Sequence, residues 1–140
     1  LRAYGVGFHR HNSEIHQEIN KVTNKKVDFT FTPHLSPMFR GILSTLYISA
    51  KKGISINKIH NCLNSFFRKS EFVKIMKVNS LIGTNTVMNT NKCIISVCKT
   101  KHKNKFVILS SLDNLIKGGS GQAIQNMNLK FNFPSSRGLK

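Results

Sequence analysis

The chain of 140 residues is poor in acid: five Asp and Glu stand against 22 Lys and Arg, a formal net charge of +17. It has no Trp, three Pro and three Cys. Cys62, Cys93 and Cys98 form no C-x-x-C pair, which removes zinc-ribbon and thioredoxin-like motifs. Cys93 and Cys98 lie five apart in an expected strand, point to opposite faces, and fit buried thiols of a reducing compartment. No apolar run approaches the twenty residues of a membrane span. The opening Leu1-Arg2-Ala3-Tyr4 lacks the apolar stretch of a secretory signal. It also lacks a starting Met, so a piece of a longer protein is expected.

A charge of +17 raises nucleic acid as a partner. The distribution argues against it: Lys25-Lys26, Lys51-Lys52 and the Lys99–Lys105 run fall at expected turns, spread along the chain rather than on one face. No basic–aromatic interleaving of the RNA-binding kind occurs. Heavy use of Lys, Asn and Ile fits compositional drift, with weak polyanion binding as a side effect. A basic nucleic-acid-binding module is the alternative class, and it rests on charge alone.

What is present suits one domain with a core, given 39% hydrophobic residues. Lys26–Thr32 alternates through Val27, Phe29 and Phe31 and predicts a strand. Gly41–Ala50, apolar and branched, predicts a largely buried strand. Ile54–Ser70 carries a helical stripe of Ile56, Ile59, Leu63, Phe66 and Phe67. Phe72–Val78 predicts a short strand, and Lys92–Lys99 with Lys105–Leu112 predict a hairpin.

Two stretches carry chemistry. In Phe8–Ile15, Asn12 is the expected N-cap of a helix, with Glu14 in its first turn and Ile15, Ile19 and Val22 along one face. His9 and His11, in an extended lead-in, then face one spot with Glu14 near. General acid/base work fits this set. So does a metal site built from His9, His11 and either Glu14 or His16, as in a metallohydrolase, and so does a structural role. The second stretch runs from Asp113 into Gly118-Gly119-Ser120-Gly121 and then a helix. Its glycines let a backbone approach a ligand, although it is neither a GxGxxG nor a P-loop. The polar Gln122, Gln125 and Asn126 favour a ligand or partner surface over a pure core helix.

His9–Ile15, Phe31-Thr32-Pro33-His34-Leu35, Pro37–Ile42 and Asp113–Asn128 together resemble the C-terminal half of the N-acetyl-gamma-glutamyl-phosphate reductase family. The resemblance runs over essentially the whole chain. It implies an α+β fold with a mixed, mainly antiparallel sheet and helices on one face, like the C-terminal domain of glyceraldehyde-3-phosphate dehydrogenase. Residues 1–140 would be the catalytic and dimerisation domain, with an N-terminal Rossmann domain for NADP absent from this chain.

The implied reaction, in arginine biosynthesis, reduces N-acetyl-glutamyl 5-phosphate with NADPH, through a Cys thioester, to the semialdehyde. The family's nucleophilic Cys would lie upstream of Leu1. By resemblance His11 is the acid/base residue, and His9 and Glu14 support it. Arg40 meets the acidic substrate, and Gly118, Gly119, Ser120 and Gln122 lie near NADP(H). No metal, specific nucleic acid or membrane is implied. The expected partners are the acyl phosphate, the missing Rossmann domain and a second copy of the enzyme, in a cytoplasmic setting. The chain alone is expected to be inactive and prone to self-association. Three positions depart from the family: Ser13 replaces Pro, Asn89 replaces Gly, and Ile94 replaces an acidic residue.

Overall fold

A computed structural model describes all 140 residues. They divide into two compact units, Leu1–Phe39 and Arg40–Lys140.

In the first unit, β1 (Arg2–Ala3) pairs antiparallel with β2 (His34–Leu35). Helix α1 spans His11–Thr23 and ends on Asn24, whose left-handed φ of 50° stops it. The expected cap is corrected: Asn12 lies inside the helix and Arg10 occupies the N-cap without a side-chain bond. His9 does the work instead. Its Nδ1 accepts the His11 N–H and its carbonyl accepts the Asn12 N–H. Ile15 and Ile19 are half-buried as expected, but Val22 is 84% exposed.

The strand expected over Lys26–Thr32 does not form. The alternation is nonetheless there, with Val27, Phe29 and Phe31 half-buried and Asp28 and Thr30 exposed. The inward residues meet α1 and the turn that leads into it rather than a strand. The Val27 N–H donates to Asn20 Oδ1, Phe29 stacks on His16 at 4.2 Å, and Phe31 meets the His9 ring at 5.4 Å. A period of two reports which side faces inward; a ladder also needs a neighbouring backbone.

The second unit is built on a four-stranded sheet in the order β3-β6-β5-β4. The strands are β3 (Ile42–Ser49), β4 (Val73–Ile75), β5 (Cys93–Lys99) and β6 (Lys105–Leu112). The expected hairpin β5–β6 is present, β3 pairs antiparallel with β6, and β4 runs parallel to β5. A parallel pair requires a long crossover, which residues 76–92 supply. Strand β3 lies at the sheet edge, and Ile42, Leu43, Leu46 and Tyr47 are each more than 40% exposed. The expectation of a largely buried strand is therefore corrected. Apolar, branched composition marks a strand but does not say whether its neighbours cover it.

Helix α2 (Ile56–Phe67) starts on Ser55, whose Oγ accepts the Lys58 N–H. Its Ile56, Ile59 and Leu63 pack on Val97, Phe106 and Ile108. Phe66, expected in that stripe, is 77% exposed. Helix α3 (Gly121–Lys130) follows a tight turn over Ile116–Ser120. That turn meets Leu112, since a Cβ on Gly118 would sit 3.5 Å from Leu112 Cδ1. Leu112 shares strand parity with Ile108 and Phe106, so α2 and the lead-in to α3 use the same sheet face. The fold is α+β, with a mainly antiparallel mixed sheet.

Two of the three lysine runs are not dispersed as expected. Ser49 pairs with Lys105, Lys99 pairs with Phe106, and the Ala50 N–H donates to the Asn104 carbonyl at 2.8 Å. Lys51-Lys52 and the Lys99–Lys105 run, far apart in sequence, therefore leave the sheet at one end. Strand pairing put together what a linear reading separates.

Candidate functional site

The first unit places His9 and His11 side by side, with ring centroids 4.7 Å apart and planes at 72°. The lead-in is a turn rather than an extended segment: Gly5 and Gly7 have positive φ, and the Phe8 N–H donates to the Gly5 carbonyl. The rings of Tyr4 and Phe31 flank His9 in T-shaped pairs, each with its centroid 5.4 Å away. With Nδ1 accepting a backbone N–H, neutral His9 carries its proton on Nε2. His11 is exposed, and neither of its ring nitrogens makes a hydrogen bond within the chain. Glu14, one turn on, is exposed and makes no hydrogen bond or ion pair with either ring. His9, His11, Glu14 and His16 form no cluster able to hold a metal ion.

In the second unit the focus is a carboxylate that sequence reading did not single out. Asp113 is fully buried. Burying a carboxylate costs several kcal/mol unless it is paired and hydrogen-bonded. Arg40 supplies the pair: Nε and Nη2 reach Oδ1 at 3.1 and 2.7 Å, and Nη2 lies 2.6 Å from Oδ2. The backbone N–H groups of Leu115 and Ile116 donate to Oδ1, and that of Asn89 donates to Oδ2 at 2.8 Å. Burial alone would raise the carboxyl's pKa. The Arg40 guanidinium and the three N–H donors outweigh it and bring the pKa down from 3.8 to about 2.

This node fixes everything around it. Asn114 Oδ1 accepts the Gly41 N–H at 2.7 Å, which ties the start of β3 to the residue after Asp113. Gly41 has a φ of 111°, and a Cβ there would meet Thr84 Cβ at 2.6 Å, so only glycine fits. Asn89 has a φ of 61°. Its departure from the family's Gly is thereby explained: the position needs a left-handed backbone, and Asn is among the side chains that tolerate one. Ile94 is 7% exposed, an apolar side chain in an apolar place.

The glycine turn hangs from the same node. Gly118 and Gly119 and the side chain of Ser120 are exposed, and Ser120 Oγ donates to the Leu115 carbonyl. Gly121 is buried, and a Cβ there would sit 2.5 Å from Asn91 Oδ1. Gln122 is half-buried. Its Oε1 accepts from Lys117 Nζ at 2.7 Å and its Nε2 donates to Asn126. Lys117 also donates to Gln125 and lies over the Phe72 ring. Burial pushes its pKa down from the ordinary lysine value, against a weaker upward pull from Cys93.

Of the expected site residues, the structure joins His9 to His11, and joins Arg40 through Asp113 to the backbone that leads into Gly118–Gln122. The missed residues are Asp113, Asn114, Asn89 and Lys117. One signal was available for Asp113. In a chain with five acids, an Asp directly after a strand and four residues before a lysine needs a partner.

A family model described as semialdehyde dehydrogenase, dimerisation domain, matches residues 1–114. The chain belongs to this family. Three relatives named N-acetyl-gamma-glutamyl-phosphate reductase resemble this semialdehyde dehydrogenase dimerisation domain throughout. The protein of Thermoanaerobacter pseudethanolicus is 42% identical over 139 residues, 99% of this chain and 40% of its own length. That of Clostridium botulinum strain Eklund 17B is 42% identical over 136 residues, 97% of this chain and 40% of its own. That of Pelobacter propionicus is 43% identical over 139 residues, with the shares again 99% and 40%. The dimerisation-domain chain thus spans about two-fifths of the length of these relatives.

Proposed function

We propose that residues 1–140 are the C-terminal catalytic and dimerisation part of an N-acetyl-gamma-glutamyl-phosphate reductase. The activity would be NADPH-dependent reduction of N-acetyl-L-glutamyl 5-phosphate to the 5-semialdehyde, with release of phosphate, as a cytoplasmic step of arginine biosynthesis. The observation that carries this reading is the unequal treatment of the two histidines. His9 is boxed by Tyr4 and Phe31 with Nδ1 engaged, while His11 presents a free, exposed ring beside it. A positioned partner next to a ring free to gain and lose protons is the arrangement general acid/base catalysis needs.

In this reading a thiol supplied outside these residues takes the acyl group, and phosphate leaves. His11 accepts the thiol proton and later returns one as the aldehyde is released. His9 holds the start of α1 and so fixes where the His11 ring stands. Glu14 lies in the first turn of α1, where the helix dipole favours a negative charge. Arg40 keeps Nη1 free of hydrogen bonds while Nε and Nη2 are committed to Asp113, so one edge of its guanidinium remains for an acidic substrate.

The second unit suits NADP(H). Gly118 and Gly119 are exposed backbone without side chains, and Gln122 sits at the first turn of α3. These residues and Ser120 would hold the nicotinamide end of the cofactor, which when bound supplies the hydride. Self-association has a surface as well: Leu43 and Tyr47 stand exposed on one face of edge strand β3, where a second copy would cover them. No helix is long and apolar enough to cross a membrane.

A chimera tests the assignment. Residues 1–140 replace the matching 40% of the Thermoanaerobacter pseudethanolicus relative, and NADPH oxidation is followed with and without N-acetylglutamyl phosphate. Substrate-dependent oxidation is expected. A folded, cofactor-binding chimera without it would reject the reading.

A further inference from the structure

We propose that the end of the sheet carrying Lys99 and Lys105 is a binding surface for phosphate-backbone polyanions, which it holds without reading bases. A cavity of about 310 Å³ opens there, lined by Lys99, His102, Lys103, Lys105, Ser55 and Asn57, among others. At about 30 Å³ per water it has room for roughly ten, enough for a phosphate group and part of its shell. Strand register brings Lys51 and Lys52 to the same end. Lys58 follows in the first turn of α2, whose opening residues line the cavity.

These cations have no counter-ion in their own unit. Residues 40–140 contain two carboxylates, Glu71 and Asp113. Asp113 directly follows Leu112, and Glu71 lies two residues before Val73; Leu112 and Val73 both pair with Cys93, at the opposite end of β5. Along seven residues of strand that is about 20 Å, more than two Debye lengths of about 8 Å at physiological salt. Both carboxylates are also engaged, Asp113 by Arg40 and Glu71 by Ser135 and Ser136. Lysine repulsion at this end is therefore uncompensated within the unit, and a bound polyanion would relieve it.

The ligand's shape and readout follow from what surrounds the cavity. Lys51, Lys52, Lys58 and Lys101 stand outside its lining, so a single phosphate would leave them unmatched and a chain of phosphates would not. The cluster contains lysine and no arginine, which gives point charges rather than the planar forks that address base edges. Of the two rings in the lining, Phe106 is 7% exposed and closed to stacking, which leaves His102 alone exposed rather than a row of platforms. Nucleic acid and inorganic polyphosphate share this chemistry.

The test is a binding titration on the 140-residue chain, with labelled oligo-dT, inorganic polyphosphate and orthophosphate as probes, over a range of salt. A triple variant, Lys99→Gln, Lys103→Gln and Lys105→Gln, is compared with a control of equal charge, Lys69→Gln, Lys92→Gln and Lys130→Gln. All six side chains are exposed, so both variants keep the core. Oligo-dT, polyphosphate or both are expected to bind with affinity that falls steeply with salt. The first triple should weaken that binding by about tenfold or more, and the control by far less. Which polymer binds identifies the source. Equal losses in the two triples would reduce the effect to net charge and overturn the proposal. So would failure of both polymers to bind, or competition by orthophosphate at equal total phosphate.

Discussion

In Leu1–Phe39 no side chain is fully buried, and the two histidines are set by a bond that spans two residues. In Arg40–Lys140 Asp113 is fully buried and draws donors from 24 and 73 residues away. The first arrangement is local and open, with reactive nitrogens left to solvent. The second is long-range and closed, with its charge consumed by partners. A free imidazole can cycle protons; a carboxylate held to a pKa of about 2 cannot do so near neutrality. In the proposed reading the first arrangement carries the chemistry; the second is architecture.

The sharpest way to break this contrast is to remove the node. Asp113→Ala leaves the half-buried Arg40 without its partner and strands three backbone donors. The expected loss is about 3–5 kcal/mol of stability, read from urea unfolding of the chain. A loss under about 1 kcal/mol, an ordinary surface value, would mean that Asp113 is not the organising charge.

The same node should appear in the pH dependence. The folded Asp113 pKa of about 2 lies below its ordinary 3.8, so the unfolded state binds the proton more tightly. The associated stability is fully present above the unfolded value and is lost as pH falls through 3.8 towards 2. It amounts to roughly 2 kcal/mol. Unfolding titrations of wild type and Asp113→Asn between pH 5 and pH 2 should converge as the pH drops. Parallel curves across that window would contradict the assignment.

The smallest effect belongs to the open region. His9→Ala removes the acceptor for the His11 N–H at the start of α1. Helix-cap losses of this kind run at about 0.5–2 kcal/mol. Hydrogen exchange should rise in the first turn of α1 and stay unchanged at Asn89 and Ile116. Loosening at those amides of the second unit would erase the distinction between the two regions.

The sequence made local features legible: the β5–β6 hairpin, the α2 stripe and the two-residue spacing of His9 and His11. It misled where pairing partners decide. Val27, Phe29 and Phe31 alternate as a strand does, but they face a helix. Gly41–Ala50 has the composition of a buried strand yet forms the sheet edge. Asp113 was hidden for the same reason, since its partner Arg40 lies 73 residues away. The lysine runs looked scattered until strand register joined two of them. Asn89 stood as an unexplained departure from Gly until its positive φ showed that the backbone had set the choice.

The most direct test of the account is turnover of the reductase chimera carrying His11→Asn. Asparagine keeps a polar side chain at the first turn of α1 but cannot cycle protons. Turnover should fall by about two to four orders of magnitude, with the KM for NADPH little changed because Gly118–Gln122 is untouched. Turnover within a few-fold of the parent chimera, with the loss appearing instead in His9→Asn, would contradict it.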